Sequence, residues 1–156
     1  MQNMGKNKTK RIIIICVICL VVMAIAISVF HKPSVTQYKD DFGFSLENIR
    51  VKTLNYYHHD DFRDSLTLYR VSVTGDVEGS IFDKSKMTNG LSEDALALLN
   101  EAAELTEGKR DFEDLRSIDL SGCMSIELED INNKTDACLY IISYGADDQF
   151  FAIWNG

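Results

Sequence analysis

The sequence predicts an α+β fold: an antiparallel β-sheet of about five or six strands packed by one main α-helix, preceded by an N-terminal transmembrane helix. Three observations predict it. Several short stretches alternate apolar and polar residues with period two, the mark of strands. One stretch, Glu93 to Glu107, carries its apolar residues at helical spacing. Ile12 to Phe30 is an apolar run without a charge.

That run is 19 residues long. As a helix it spans about 28 Å, close to the roughly 30 Å hydrocarbon thickness of a bilayer. A helix satisfies its own backbone in lipid, so the β-branched content (Ile12–Ile15, Val17, Val21, Val22) is no obstacle. Lys6, Lys8, Lys10 and Arg11 precede the run, whereas Asp40 and Asp41 open an acidic region after it. The positive-inside rule then places the N-terminus in the cytoplasm and everything after the run outside. The expected organisation is a basic cytoplasmic head (1–11), a transmembrane anchor (12–30), a stalk (31–41) and an extracytoplasmic α+β domain (42–156). The rival reading is a secreted protein, cut after Ala24-Ile25-Ala26. Apolar residues continue past that cut through Ile27, Val29 and Phe30, which favours a retained anchor. The anchor lacks a Gly-xxx-Gly pattern, so that motif gives no support to helix pairing.

From Pro33 onward about 124 residues remain, enough for one domain. The chain has 16 Lys+Arg and 24 Asp+Glu; five of the positive residues precede Pro33, and no acidic residue does. The domain therefore carries 11 positive against 24 negative side chains, a formal net charge of −13. That disfavours nucleic acid, and no nucleic-acid partner is expected, because phosphate binding depends on clustered Lys and Arg. The charge suits a solvated domain, a cationic partner or divalent cations.

Along the domain, Phe42-Gly43-Phe44-Ser45-Leu46 alternates and predicts a first strand. Ile49 to Tyr57, rich in Val, Thr and Tyr, predicts another, broken by a turn at His58-His59-Asp60-Asp61. Leu66 to Val73 places Thr67, Tyr69, Val71 and Val73 on one face and Leu66 and Leu68 on the other, so both faces are covered for part of its length. Thr74-Gly75-Asp76 ends it, and Ile81-Phe82 predicts a short extra strand before a polar loop, Asp83 to Gly90. The helix begins at Ser92, whose hydroxyl suits an N-cap, with Glu93 and Asp94 at its positive end. Leu91 and Leu96 are placed for a hydrophobic staple, and Gly108 supplies the stop. Its packed stripe is Ala95, Leu96, Leu98, Leu99, Ala102, Ala103 and Leu105.

Ile118, Leu120, Met124, Ile126 and Leu128 keep period two, predicting one bent strand or two strands broken at Ser121-Gly122. Asp130 to Asp136 is a polar turn. Cys138 to Tyr144 is apolar on both faces and so a central strand; Gly145 to Asp148 turns the chain and Phe150 to Trp154 returns. In that hairpin Cys138 sits beside the turn and Cys123 at the far end, roughly 17 Å away. A disulfide needs Cα atoms within about 7 Å, so free thiols are expected.

The candidate catalytic residues are His58, His59, Asp60, Asp61 and Asp64. Two imidazoles beside three carboxylates can bind a transition metal or move a proton. Their spacing fits no defined metal motif, and the segment also reads as a solvated turn in which Arg63 offsets the acids. The candidate metal ligands are Glu127, Glu129, Asp130, Asn132 and Asp136, an oxygen-rich hairpin tip of the sort a divalent cation takes. The glycine at the sixth position of an EF-hand loop is absent, since Thr135 stands there. No other cofactor is implied. Asn133-Lys134-Thr135 matches a glycosylation sequon. Tyr56, Tyr57, Tyr69, Tyr140, Tyr144, Phe150, Phe151 and Trp154 are either groove-lining aromatics or core and rim. Nucleophile elbows, phosphate loops and His-Glu-x-x-His are absent from the sequence; Cys16 and Cys19 form one Cys-x-x-Cys inside the apolar run, with no second to pair with it, and read there as inert apolar side chains.

The basic head and anchor, His59-x-x-Phe62, the strand Leu66 to Val73, and the closing Leu139-Tyr140 and Phe150-Phe151 strands give a layout that resembles uncharacterised small membrane- or lipid-anchored extracytoplasmic proteins of Gram-positive bacteria. Glycines often found in the relatives' His-x-x-Phe segment are replaced here by Asp60, Asp61, Asp64 and Ser65. The resemblance implies no catalytic residue. The function expected is a noncatalytic, membrane-anchored extracytoplasmic binding or interaction module. Its partner is an envelope protein, a peptide or a cation, met through acidic loops and exposed aromatics. The alternative is a hydrolase or metal-dependent enzyme centred on His58–Asp64.

Overall fold

A computed structural model describes residues 13–23, 33–60, 65–132, 136–145 and 148–156. The chain forms two compact units, Met1–Lys32 and Pro33–Gly156.

In the first unit residues 13–23 are α-helical (α1). Its apolar side chains are open: Ile13, Ile15, Leu20 and Val22 are 57%, 60%, 62% and 59% exposed. Among the described residues no helix is long and apolar enough to cross a membrane. The predicted span continues at residue 12 and through 24–30, which lie outside the described residues.

The second unit is a six-stranded antiparallel sheet with a few helices, an α+β arrangement. Its strands are β1 (Ile49–Asp60), β2 (Ser65–Gly75), β3 (Thr88–Asn89), β4 (Met124–Glu129), β5 (Cys138–Ser143) and β6 (Gln149–Asn155), in the order β1-β2-β6-β5-β4-β3. Helix α2 (Glu93–Leu105) packs on one face. The central strands β2, β5 and β6 are apolar on both faces because each face meets its own core. Tyr69, Val71, Leu139, Ile141, Phe150 and Ala152 form one; Leu66, Leu68, Tyr140, Ile142, Phe151 and Ile153 form the other with α2. Each fully buried Leu, Ile or Phe contributes about 1.5–3 kcal/mol through loss of water-exposed apolar surface.

Two segments cover the face away from α2, and neither matches the sequence expectation. Residues 33–41, expected as a stalk, fold with the domain. Val35 is fully buried, and the Tyr38 ring stacks on Trp154 at 5.5 Å. Phe42–Leu46 is not a strand; Phe42 is buried in a turn that follows the 3-10 helix Val35–Tyr38. The chain then leaves β2 near the middle of the sheet and must reach β3 at the far edge. Ile81 and Phe82 lie on that crossing, in a turn rather than a strand, and Phe82 meets Phe150 edge to face at 5.1 Å. Their apolar character reflects burial under the crossing, not strand pairing. The strand of that region is Thr88–Asn89, in the stretch expected to be loop.

Gly75 ends β2 at φ +113, and a Cβ there would lie 2.3 Å from the Asn48 carbonyl oxygen, so only glycine fits. The helix starts as expected, with the Ser92 hydroxyl accepting the Ala95 amide at 3.2 Å. Its buried stripe is narrower than expected: Ala95, Leu99, Ala102 and Ala103 are buried, while Leu96 is 38% exposed. The period-two run from Ile118 is not a continuous strand. Two 3-10 turns, Leu115–Ser117 and Leu120–Gly122, precede β4, and the chain changes faces there. Ile118 and Leu120 pack on the α2 side, whereas Met124, Ile126 and Leu128 pack on the opposite core. The β4–β5 hairpin pairs Glu129 with Cys138 and Met124 with Ser143, which puts Cys123 at the end away from the turn. Cys123 and Cys138 are free thiols.

Candidate functional site

The expected turn at His58 is instead the end of β1, which runs to Asp60. His58 and His59 therefore face opposite sides of the sheet. The His58 Nδ1 lies 2.8 Å from the Thr67 hydroxyl across the β1–β2 pair, and His59 is opposite Leu66. Asp61 and Asp64 lie outside the described residues. On the hairpin, Glu127 is tied to the Tyr140 hydroxyl, which donates to its Oε1 at 2.9 Å. Asp130 is buried and accepts the Asn132 amide at 2.8 Å, while Asn132 and Asp136 are exposed. Among the described residues no three His, Cys, Asp or Glu side chains are grouped to hold a metal ion. The sequon Asn133-Lys134-Thr135 lies outside the described residues.

The aromatics are mostly core. Tyr69, Tyr140, Phe150 and Phe151 are buried, Tyr57, Tyr144 and Trp154 are half-buried, and Tyr56 is exposed. Tyr69 sits in a polar knot, accepting the Gln37 side-chain amide at 2.8 Å with the Tyr38 hydroxyl 3.2 Å away. Burial first, then the Tyr38 contact, pushes its phenol well above the usual range. Burial likewise raises Tyr140, with the Glu127 hydrogen bond acting the same way.

A concave surface lies beside α2, where residues 110–122 wrap back along the helix. A depression of about 530 Å3 is floored by Leu99, Ala103 and Leu115 and rimmed by Asn100, Glu104 and Arg116. Ile118 separates it from a second, of about 450 Å3, lined by Asp114, Ser117, Asp119, Ser121 and Tyr144. The buried floor follows from the α2 stripe. The wall follows from Phe112 and Leu115, buried apolar residues four and seven positions beyond Gly108 that pull this segment onto the sheet.

The wall is held by Arg70 and Asp114, which the sequence did not single out, together with Tyr144 and Phe151, which it offered as groove or core aromatics. Arg70 projects from β2 on the α2 side and is ion-paired to Asp114. Its guanidinium carbon lies 5.2 Å from the Phe151 ring centroid, 5.7 Å from Phe112 and 6.0 Å from Tyr144. Tyr144 stacks on Phe151 at 4.0 Å. Among the described residues, Arg70 Nε and the Tyr144 hydroxyl are buried without a hydrogen-bond partner. The signal for Arg70 was present: it is the single charge inside Leu66 to Val73.

Burial raises the Tyr144 phenol; Arg70 opposes that shift and Asp114 adds to it. Burial also raises the Cys123 thiol, with Asp119 acting the same way. Both groups are thus neutral at ordinary pH. The Asp119 carboxyl is held below its ordinary value by hydrogen bonds from the Ser121 side chain and amide, so it stays charged. The first depression presents a lining more polar than apolar, with Leu99, Ala103 and Leu115 almost wholly buried beneath it and carboxylates at its edge.

No protein-family model, curated protein or solved structure matches this chain. The class that the fold defines is a small α+β domain, with two shallow depressions beside its helix among the described residues.

Proposed function

We propose that this protein is a membrane-anchored extracytoplasmic binding module, noncatalytic, built on the plan of small anchored proteins of Gram-positive envelopes. Residues 12–30 hold it in the membrane with the N-terminus in the cytoplasm, and the domain from Pro33 onward works outside. The open apolar side chains of α1 support the anchor, since such a surface is stable only when lipid or protein covers it. The basic head before it and the acidic domain after it support the orientation. The observation that carries the binding reading is the groove at Ile118, concave, edged by carboxylates and built on a firmly packed helix.

The test is proximity labelling in cells from an enzyme fused after Gly156, comparing the wild type with Ile118→Asp at equal abundance. A set of envelope neighbours that labels with the wild type and drops out with the variant is expected. An identical set with both would refute a binding role for the groove.

A further inference from the structure

We infer that a one-electron oxidation of Trp154 is passed through Tyr38 and Tyr69 to the exposed ring of Tyr56, so that the sheet face away from α2 carries an oxidising equivalent out of the core; this activity is independent of the groove. Trp154 is the one tryptophan of the chain. It is half-buried, so a small oxygen-centred or azidyl radical reaches its edge and takes one electron. The ring contacts from there form a line. Trp154 stacks on Tyr38 at 5.5 Å, Tyr38 meets Tyr69 at 6.1 Å, and Tyr69 meets Tyr56 at 5.6 Å. Tyr57, Tyr140 and Tyr144 pack on the α2 side of the sheet, outside this line. At neutral pH a tyrosyl radical is a weaker oxidant than a tryptophyl radical, so the electron vacancy leaves the indole for a phenol. A phenol that loses an electron must also lose its proton, because an uncompensated cation is costly in a core. Tyr38 is half-buried and releases its proton to water. Tyr69 is fully buried, and its oxygen accepts the Gln37 amide at 2.8 Å. Its own proton has one partner among the described residues, the Tyr38 oxygen 3.2 Å away. Tyr69 gives its electron and that proton to the Tyr38 radical. It then recovers the electron from Tyr56 and the proton back along the same bond, and water reprotonates Tyr38. Tyr56, 41% exposed, releases its proton to water and holds the radical. In balance, the indole regains one electron and its N–H proton, and Tyr56 loses one electron and one proton. A water-soluble thiol or enediol then gives Tyr56 a hydrogen atom and restores the phenol.

The experiment uses the full chain in zwitterionic lipid nanodiscs. Azidyl radicals made by pulse radiolysis oxidise tryptophan in preference to tyrosine at neutral pH, and the two amino-acid radicals absorb at separate wavelengths. The expected result is a first-order loss of the tryptophyl radical with matching growth of a tyrosyl radical, at a rate independent of protein concentration. Tyr38→Phe keeps the stacked ring but removes the phenol, and should abolish that conversion. A nitroso spin trap read by mass spectrometry should mark Tyr56 in the wild type. In Tyr69→Phe the mark should leave Tyr56 and stay on Tyr38. Conversion in Tyr38→Phe as fast as in the wild type, or a rate proportional to protein concentration, would overturn the inference. So would a mark on Tyr57, Tyr140 or Tyr144, or equal marking of Tyr56 with and without the Tyr69 phenol. The rate law and the marked residue are measured on the wild type, so they decide the matter even where a variant folds poorly.

Discussion

Arg70 and Asp114 are ion-paired across 44 positions of sequence, joining a central strand to the segment that walls the groove. The two ends differ in environment: the Arg70 side chain is 15% exposed and that of Asp114 is 56% exposed. Most of what the pair contributes therefore resides in Arg70 and the rings around it.

Arg70→Ala should cost about 2 kcal/mol, because it removes the packing against Phe112, Tyr144 and Phe151 as well as the charge. Asp114→Ala should cost less, about 1 kcal/mol, because solvent screens its exposed carboxylate. Urea unfolding of the two variants checks the order, and a larger loss for Asp114→Ala would contradict it.

Two leucines of α2 should behave differently. Leu99→Ala removes a side chain that is 3% exposed and should cost about 2–4 kcal/mol. Leu96→Ala, at a position 38% exposed, should cost about 0.5 kcal/mol. Phe82→Ala should fall with the first kind, at about 3–5 kcal/mol, if its crossing segment closes the core as it does here. Thermal melts of the three variants separate these cases.

Ser92→Ala removes the acceptor for the Ala95 amide and should cost about 1 kcal/mol. Ser92→Asp should restore most of it, since a carboxylate caps as well and suits the helix's positive end. Helical content and unfolding midpoint report both substitutions.

The alkaline limb of stability should depend on Tyr69. Its folded pKa is raised above the ordinary 10.0 by burial and by Tyr38. The unfolded chain therefore loses the phenolic proton first. Stability from this group is complete below pH about 10 and is lost as pH rises beyond it. Tyr140, Tyr144, Cys123 and Cys138 shift in the same direction. Tyr69→Phe should flatten the fall in unfolding midpoint between about pH 9 and pH 11 relative to wild type. An equally steep fall would assign the effect to the other groups.

The sheet's central strands and helix α2 were legible in the sequence because local pattern and tertiary burial agree there. Leu66 to Val73 shows both its faces in its alternation, and Ser92 marks the helix start. The misread elements are those where apolar residues are buried by long-range crossing. Phe42, Ile81 and Phe82 look like strand residues but lie under connections that cap a sheet face. The run from Ile118 to Leu128 keeps one period while serving two cores, a division that only the 3-10 turns reveal. Of the candidate site residues, His58 and His59 read as a turn in the sequence, and their separation to opposite faces follows from β1 running on to Asp60. The groove was not legible, because its wall depends on Arg70 meeting a residue 44 positions away.

The most direct measurement of the central claim is protease shaving of intact cells that carry a cleavable tag after Gly156. The account predicts that the tag is removed without lysis while an N-terminal tag is spared. A C-terminal tag protected until the cells are broken open would contradict it.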